Sequence, residues 1–132
     1  MKPEWLNRNL ANPAPYFTLC TTEKMFYKEL RALKIPLGQY PPFLSTKQSN
    51  ATTHTLENSE GRLCAVVCIH PRTDLDPLVV AGILVHEAVH LWQTYCQDIG
   101  ETSPSSEFEA YGIQHLAQQL MYEYKRQVYG RD

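Results

Sequence analysis

Apolar and polar positions recur with two different periods along the chain, and these periods divide it into helices and strands. Residues 22–33 carry apolar residues at the helical spacing behind a threonine cap, which predicts a helix. Residues 51–57, ATTHTLE, alternate between β-branched and polar positions. The turn residues 58–61 join them to the apolar run 62–70, RLCAVVCIH, so a β-hairpin is predicted. Residues 16–20, YFTLC, predict one further short strand.

Two longer helices are predicted in the second half of the chain. Asp76 followed by Pro77 is a typical helix start, and Gly100 is a typical stop. The segment between them, PLVVAGILVHEAVHLWQTYCQDI, is apolar nearly all round, so this helix is expected to be buried at the centre of the domain. After the loop ETSPSS, a final helix is predicted from about Ser105 to Tyr129.

The order of these elements favours an α+β fold in which a small antiparallel sheet packs on a few helices. The chain has 132 residues, which predicts a single domain spanning residues 1–132. Residues 1–15 contain three prolines and are expected to form an irregular N-terminal arm, and residues 36–50 are expected to be a loop.

Charge and composition exclude several classes of partner. The formal net charge is −2 and the lysines and arginines are scattered, so neither nucleic acid nor an anionic membrane is an expected partner. Residues 1–10 lack the apolar core of a signal peptide, and the apolar run 78–85 is far shorter than the roughly twenty residues of a membrane span. A cytoplasmic protein is therefore expected. Cys20, Cys64, Cys68 and Cys96 are expected to be reduced thiols and not disulfides or metal ligands.

Residues 86–90 read His-Glu-Ala-Val-His in the middle of the apolar helix. Positions four apart differ by about 40° of rotation, so His86 and His90 can point at one metal ion. Glu87 lies about 100° round from His86, where it is not expected to be a third ligand but can reach a water activated by the metal. This pattern is typical of zinc hydrolases, so Zn²⁺ is the expected cofactor and Glu87 the expected general base. The alternative is two core histidines bonded to backbone carbonyls, with Glu87 at the surface.

Catalytic zinc takes three protein ligands, so a third is expected downstream. Glu107 and Glu109 are two residues apart and point in different directions, so only one of them can bind. Glu109 shares a face with the apolar positions of the last helix, and Gly112 would let that helix approach the central one closely. Glu107 falls in the first turn, where the helix dipole favours a carboxylate in any case. Glu109 is the preferred third ligand, with Glu107, His115 or an aspartate as alternatives.

HEAVH followed by a Glu-Ala pair on the next helix resembles the gluzincins, the thermolysin-type group of zinc peptidases. Eighteen residues separate His90 from Glu109, which fits the short spacer of that group, and EFEAYGIQ resembles minimal zincin-like proteins of phage and prophage genomes. The resemblance covers about residues 80–120. It implies a zincin-like fold, with a small hairpin packed on the HExxH helix, Glu109 on the C-terminal helix as third ligand and Glu87 as base.

The chain departs from the thermolysin pattern at one position. Ile113 stands where an aspartate, one turn after the third ligand, usually steadies the first histidine. In zincins an edge strand also pairs with an extended substrate, and either strand of the hairpin can do so here. The sequence does not choose among the candidates for stabilising the oxyanion, which are Tyr40, His70, Tyr95, Tyr111 and His115.

Three functions are compatible with these residues. The first is a zinc peptidase acting on a peptide or protein substrate, including cell-wall peptides, with Glu87 as base. The second is a zinc-stabilised structural or interaction module, such as a phage component, without turnover. The third is hydrolysis of an amide that is not a peptide. Retention of Glu87 favours an enzyme, because a structural zinc does not need a base.

Overall fold

The helices and strands lie close to where the sequence predicts them. The computed structural model describes residues 1–6 and 16–130. The elements follow in the order β1 (Tyr16–Cys20), α1 (Glu23–Ala32), a short 3-10 turn (Leu37–Gln39), β2 (Thr52–Glu57), β3 (Leu63–Cys68), α2 (Pro77–Asp98) and α3 (Ser106–Tyr129). Of the predicted irregular arm, residues 7–15 lie outside the described residues. In residues 1–6, Leu6 forms a single antiparallel bridge to Phe17 of β1.

The helix starts are confirmed in atomic detail. The Thr22 hydroxyl accepts a hydrogen bond from the backbone N–H of Met25 at the start of α1. The Asp76 carboxylate accepts one from Leu78 at the start of α2, over 2.7 Å. Ser105 caps α3 in the same way. Each cap satisfies an N–H group that the first helical turn leaves without a partner.

The sheet is mixed and not purely antiparallel. Its strand order is β1-β3-β2, with β2 antiparallel to β3, so the predicted hairpin is confirmed. However, β1 is parallel to β3, and the expectation of an antiparallel sheet is wrong for this strand. The reason lies in the connection from β1, because α1 and the following loop carry the chain past the position of β3. The hairpin then returns β3 to the middle of the sheet, which leaves β2 at an edge.

The central strand β3 faces two separate cores. Ala65 and Val67 belong to a cluster shared with α2 and α3, whereas Val66 and Cys68 belong to a cluster shared with α1. This alternation follows from the period of two in a strand. The sheet therefore lies between α1 on one face and the pair α2 and α3 on the other. All four cysteines are free and buried, and burial raises the pKa of the Cys64 thiol to about 11.

The central helix α2 is not buried all round, which corrects the expectation from its composition. The sheet covers one flank and α3 another, and the third flank faces solvent. Leu78 is 80% exposed, Val79 51% and Val85 38%. The apolar content of the segment therefore exceeds what its burial requires. No helix within the described ranges has the length and apolar character needed to cross a bilayer.

Gly112 permits the close contact between α3 and α2, as the sequence predicted. A Cβ added at this position would lie 2.1 Å from Cζ3 of Trp92, whose side chain is buried. The indole of Trp92 therefore occupies the space that any other residue would need.

Gly112→Ala is expected to lower the free energy of unfolding by about 1–3 kcal/mol, because the buried Trp92 ring has to move. Gly82→Ala is the matched control, since no neighbouring atom in the described part of the chain lies within 4 Å of a Cβ at this helical position. That control should gain up to about 1 kcal/mol from helix propensity. Urea denaturation of both variants measures the difference. Equal stability of the two variants would contradict the close approach at Gly112.

Candidate metal centre

The two histidines of the HEAVH segment lie side by side on the solvent-facing flank of α2. Nε2 of His86 and Nε2 of His90 are 3.2 Å apart, and their rings meet edge to face. The separation of four residues places them one above the other, as the helical geometry requires. The sequence therefore predicted their proximity correctly.

The spacing of these two nitrogens fits a shared metal ion. Two ligands at about 2.05 Å from a tetrahedral zinc ion are about 3.3 Å apart, close to the distance in this structure. The same distance also fits an N–H···N hydrogen bond between two neutral imidazoles, so the spacing alone does not distinguish the two cases.

The two histidines are exposed and Glu87 is buried, whereas both interpretations of the sequence placed the histidines in a buried part of the helix. The side chain of His86 is 70% exposed, whereas Glu87 is 4% exposed. The histidines are therefore neither in a buried helix face nor bonded as core residues. When a helix is apolar nearly all round, its sequence does not reveal which flank faces solvent. In this structure the solvent-facing flank of α2 carries the two histidines.

The carboxylate of Glu87 is held from one side and open to the histidines on the other. Its Oε1 accepts a hydrogen bond of 2.7 Å from the Thr53 hydroxyl on β2. Its Oε2 lies 4.0 Å from Nε2 of His86. A buried carboxylate requires such a donor, and a charge-assisted hydrogen bond is stronger than a neutral one.

Glu87 comes closer to the histidines than its position on the helical wheel predicted. One ligand atom each from His86, Glu87 and His90 lies within 4.8 Å of the others. Although Glu87 is rotated by about 100° from His86 around the helix axis, its flexible side chain bends back toward the histidines. The geometry therefore admits Glu87 as a metal ligand as well as a base that acts through a water molecule.

Sequence reasoning missed Thr53, the residue that holds Glu87. Its neighbour His54 points to the opposite face of the sheet, where it stacks on Phe26 and its Nε2 lies 2.9 Å from the carbonyl oxygen of Phe43. Burial lowers the pKa of His54. Alternation along β2 predicts that Thr53 and His54 face opposite ways. Thr53 reaches Glu87 only because β2 lies against α2. A single sequence does not show that these two elements are neighbours.

Glu109 lies outside the cluster of three ligand atoms. Its Oε2 accepts a hydrogen bond of 3.0 Å from the indole N–H of Trp92. On the wheel of α2, Glu87 lies about 100° to one side of His86, and Trp92 lies about 120° to the other. Glu109 therefore approaches α2 on the flank opposite to Glu87. Its role as a ligand stays a prediction.

The other predicted candidates do not meet at the histidines. Glu107 and His115 are exposed on α3 and lie outside the same cluster. None of the five candidates for the oxyanion lines the two cavities beside the histidines. Tyr40 stacks on Tyr27, His70 packs on Phe43 and Tyr95 packs on Trp92, while Tyr111 is 67% exposed.

Two open cavities meet at His86 and Glu87. The first, of about 490 Å³, lies between β2 and the C-terminal half of α2 and also contacts His90. The second, of about 570 Å³, lies beside the N-terminal half of α2 and the loop before β2. Together they form a cleft along α2 with the histidines near its middle, and a cleft of this kind can hold an extended chain.

No protein-family model, no curated protein and no solved structure matches this chain. Function therefore has to be inferred from the side chains at the site and their geometry.

Proposed function

We propose that this chain is a zinc-dependent hydrolase of peptide bonds, with a zincin-like arrangement of the gluzincin type. The observation that carries the proposal is the pairing of two exposed imidazole nitrogens, 3.2 Å apart, with the buried carboxylate of Glu87 beside them. His86 and His90 would hold the ion. A bound zinc ion supplies Lewis-acid activation of a water molecule.

Glu87 is proposed to act as the general base. Its Oε2 faces the histidines, while its Oε1 is occupied by the Thr53 hydroxyl. The free oxygen takes the proton from the attacking water and later gives it to the departing amine nitrogen. Burial keeps bulk water away from this carboxylate, so that its orientation is set by the protein.

Glu109 is proposed as the third ligand. It comes from α3, on the flank of α2 opposite to Glu87, so that ligand and base would approach from different sides. In the structure its carboxylate is held by Trp92 over 3.0 Å. Trp92 thus gives Glu109 a defined position despite its exposure.

Glu109→Gln is expected to weaken zinc affinity at least ~10-fold, because a neutral amide is a much poorer ligand than a carboxylate. The amide oxygen can still accept the hydrogen bond from Trp92, so the fold should be retained. Glu107→Gln removes the same charge two residues earlier and should leave the affinity unchanged. Competition with a chromophoric chelator measures both variants. A larger loss of zinc affinity in Glu107→Gln than in Glu109→Gln would assign the third ligand to Glu107.

Thr53 is proposed as a positioning residue that acts through Glu87. Thr53→Val removes the hydroxyl at constant shape, so turnover should fall about tenfold while the zinc content stays the same. Thr53→Ser keeps the hydroxyl, so its turnover should stay at the level of the parent. Cleavage rates and elemental analysis of the two variants give the answer. A loss of turnover in Thr53→Ser with none in Thr53→Val would mean that Thr53 contributes only packing.

The edge strand β2 supports a peptide as substrate. Its inner edge pairs with β3, and no backbone hydrogen bond to its outer edge occurs among the residues of the described ranges. An extended peptide can pair with such an edge by strand addition. Of the two predicted strands only β2 can do so, because β3 is in the middle of the sheet.

The second function, a zinc-stabilised interaction module without turnover, has one observation in its favour. His86 is 70% exposed, so the site is shallow and a partner protein can reach it directly. Against this, Glu87 is buried and orientated by Thr53, an arrangement that an exposed structural zinc does not require.

The proposal is tested with tag-free protein that is reconstituted with zinc and freed of excess metal. Elemental analysis should find close to one zinc per chain. The same preparation is then incubated with a mixture of end-blocked peptides and peptidoglycan fragments, and mass spectrometry identifies the products. Zinc binding without any cleavage would support the interaction module, and no zinc binding at all would overturn both functions.

A further inference from the structure

Of the described residues that line the cleft beside the histidines, Glu87 is the acidic one, and most of the others carry hydroxyl, amide or apolar side chains. In its first half, β2 and α2 contribute hydroxyls and amides from Thr52, Thr53, Thr55, Gln93, Thr94 and Gln97. Among residues 1–6 and 16–130, no lysine, arginine or aspartate lines either cavity. In a chain with 20% charged residues, this composition sets the cleft apart from the surface as a whole.

The two halves of the cleft differ in polarity. The half toward the C-terminal end of α2 presents the hydroxyls and amides. The other half presents the apolar side chains of Val79 and Ile83 together with Gly82, opposite the polar loop before β2. Because Gly82 has no side chain and no neighbouring atom of the described ranges lies within 4 Å of its Cβ position, this half has room for a small apolar group.

Apart from the Glu87 carboxylate, which already accepts a hydrogen bond from Thr53, no described residue lining this cleft offers an opposite charge to a charged substrate side chain. Hydroxyl and amide groups satisfy hydrogen bonds, but they do not offset the loss of hydration of a full charge. The guanidinium of Arg72 reaches Asn50 at the edge of the second cavity, but it is already paired with Asp74 at 3.0 Å. Carboxylate side chains in the first half would also be repelled by Glu87.

We propose that the substrate is an extended peptide segment without charged side chains on either side of the cleaved bond. Hydroxyl or amide residues occupy the half lined by Gln93 and Gln97, and small apolar residues occupy the half beside Gly82. This inference rests on the proposed peptidase function and specifies its substrate class. Serine, threonine, asparagine and glutamine can each exchange hydrogen bonds with the polar half of the cleft.

The test uses zinc-loaded protein and a library of end-blocked octapeptides in which every position is randomised. Mass spectrometry of the products gives the preference at each position around the cleaved bond. We expect uncharged residues at the flanking positions to be favoured at least about tenfold in kcat/KM over lysine, arginine, aspartate and glutamate. Equal cleavage of charged and uncharged sequences would overturn the inference and leave the peptidase function standing.

A charge introduced into the cleft provides the reciprocal test. Gln97→Lys places a cation in the polar half, two turns beyond His90, and should make aspartate or glutamate acceptable on that side. Gln118→Lys makes the same change at an exposed position of α3 outside the cleft and should keep the preferences of the parent. If both variants keep those preferences, the substrate does not lie in this half and the inference is wrong. If the zinc-loaded parent cleaves no octapeptide, the peptidase function fails and the inference fails with it.

Discussion

Alanine at His86 or at His90 is expected to abolish zinc binding at micromolar metal, while the apoprotein keeps the stability of the parent. Each histidine supplies one of the two closely spaced nitrogens, so its loss leaves no chelating pair. Both side chains lie on the solvent-facing flank of α2, so their removal should not disturb the core. The loss of affinity should be at least ~10²-fold, since it removes a direct ligand and not an outer partner.

Thermal denaturation with and without zinc measures this effect. Zinc at about 100 times its Kd should stabilise the parent by about 2.7 kcal/mol, which corresponds to a rise in Tm of roughly 10 °C for a domain of this size. The two alanine variants should show no rise. His115→Ala is the matched control, because it removes an exposed histidine of α3 that lies outside the cluster. A similar rise in all four proteins would show that the two histidines do not bind the ion.

The second large effect is expected for Glu87→Gln, with a fall in turnover of at least ~10²-fold and unchanged zinc content. An amide cannot accept the proton of the attacking water, which a general base must do. The amide oxygen can still accept the hydrogen bond from Thr53, so the buried side chain keeps its partner and the fold is retained.

Zinc analysis of Glu87→Gln also separates the two roles that the geometry admits. If Glu87 is a ligand, zinc affinity falls together with turnover. If it is the base, only turnover falls. Glu107→Gln controls for the loss of one negative charge at a position outside the cluster. Turnover equal to that of the parent would exclude the proposed mechanism.

Local sequence signals predicted the elements well, but not the way in which they pair. The caps at Thr22 and Asp76 depend on residues next to each other in the chain, and both were predicted correctly. The start of the last helix at about Ser105 was also predicted correctly. The parallel pairing of β1 with β3 joins residues almost fifty positions apart, such as Tyr16 and Cys64. No local sequence pattern shows whether two distant strands run parallel or antiparallel. Here the strand direction depends on the path of the chain through α1 and the following loop.

The candidate site shows the same division. The approach of His86 to His90 follows from helical geometry alone, and the sequence was sufficient to predict it. The burial of Glu87 and its bond to Thr53 depend on how β2 lies against α2. The hydrogen bond between Glu109 and Trp92 depends likewise on the packing of α3. The proximity of His86 and His90 at the candidate site was therefore predicted from the sequence, whereas the contacts that orientate Glu87 and Glu109 were not.

Because the two histidines face solvent, substitutions at the proposed ion site are expected to leave the fold unchanged. The core is formed by the flanks of α2 that face the sheet and α3, so residues on the third flank can be exchanged without repacking any neighbour. If the proposed site binds zinc, a designer could replace His86, His90 or Gln93 with other donor side chains and so change its metal preference, using substitutions at the surface alone. Glu87 is the exception, because it is buried, and a redesign of the base would have to include its partner on β2.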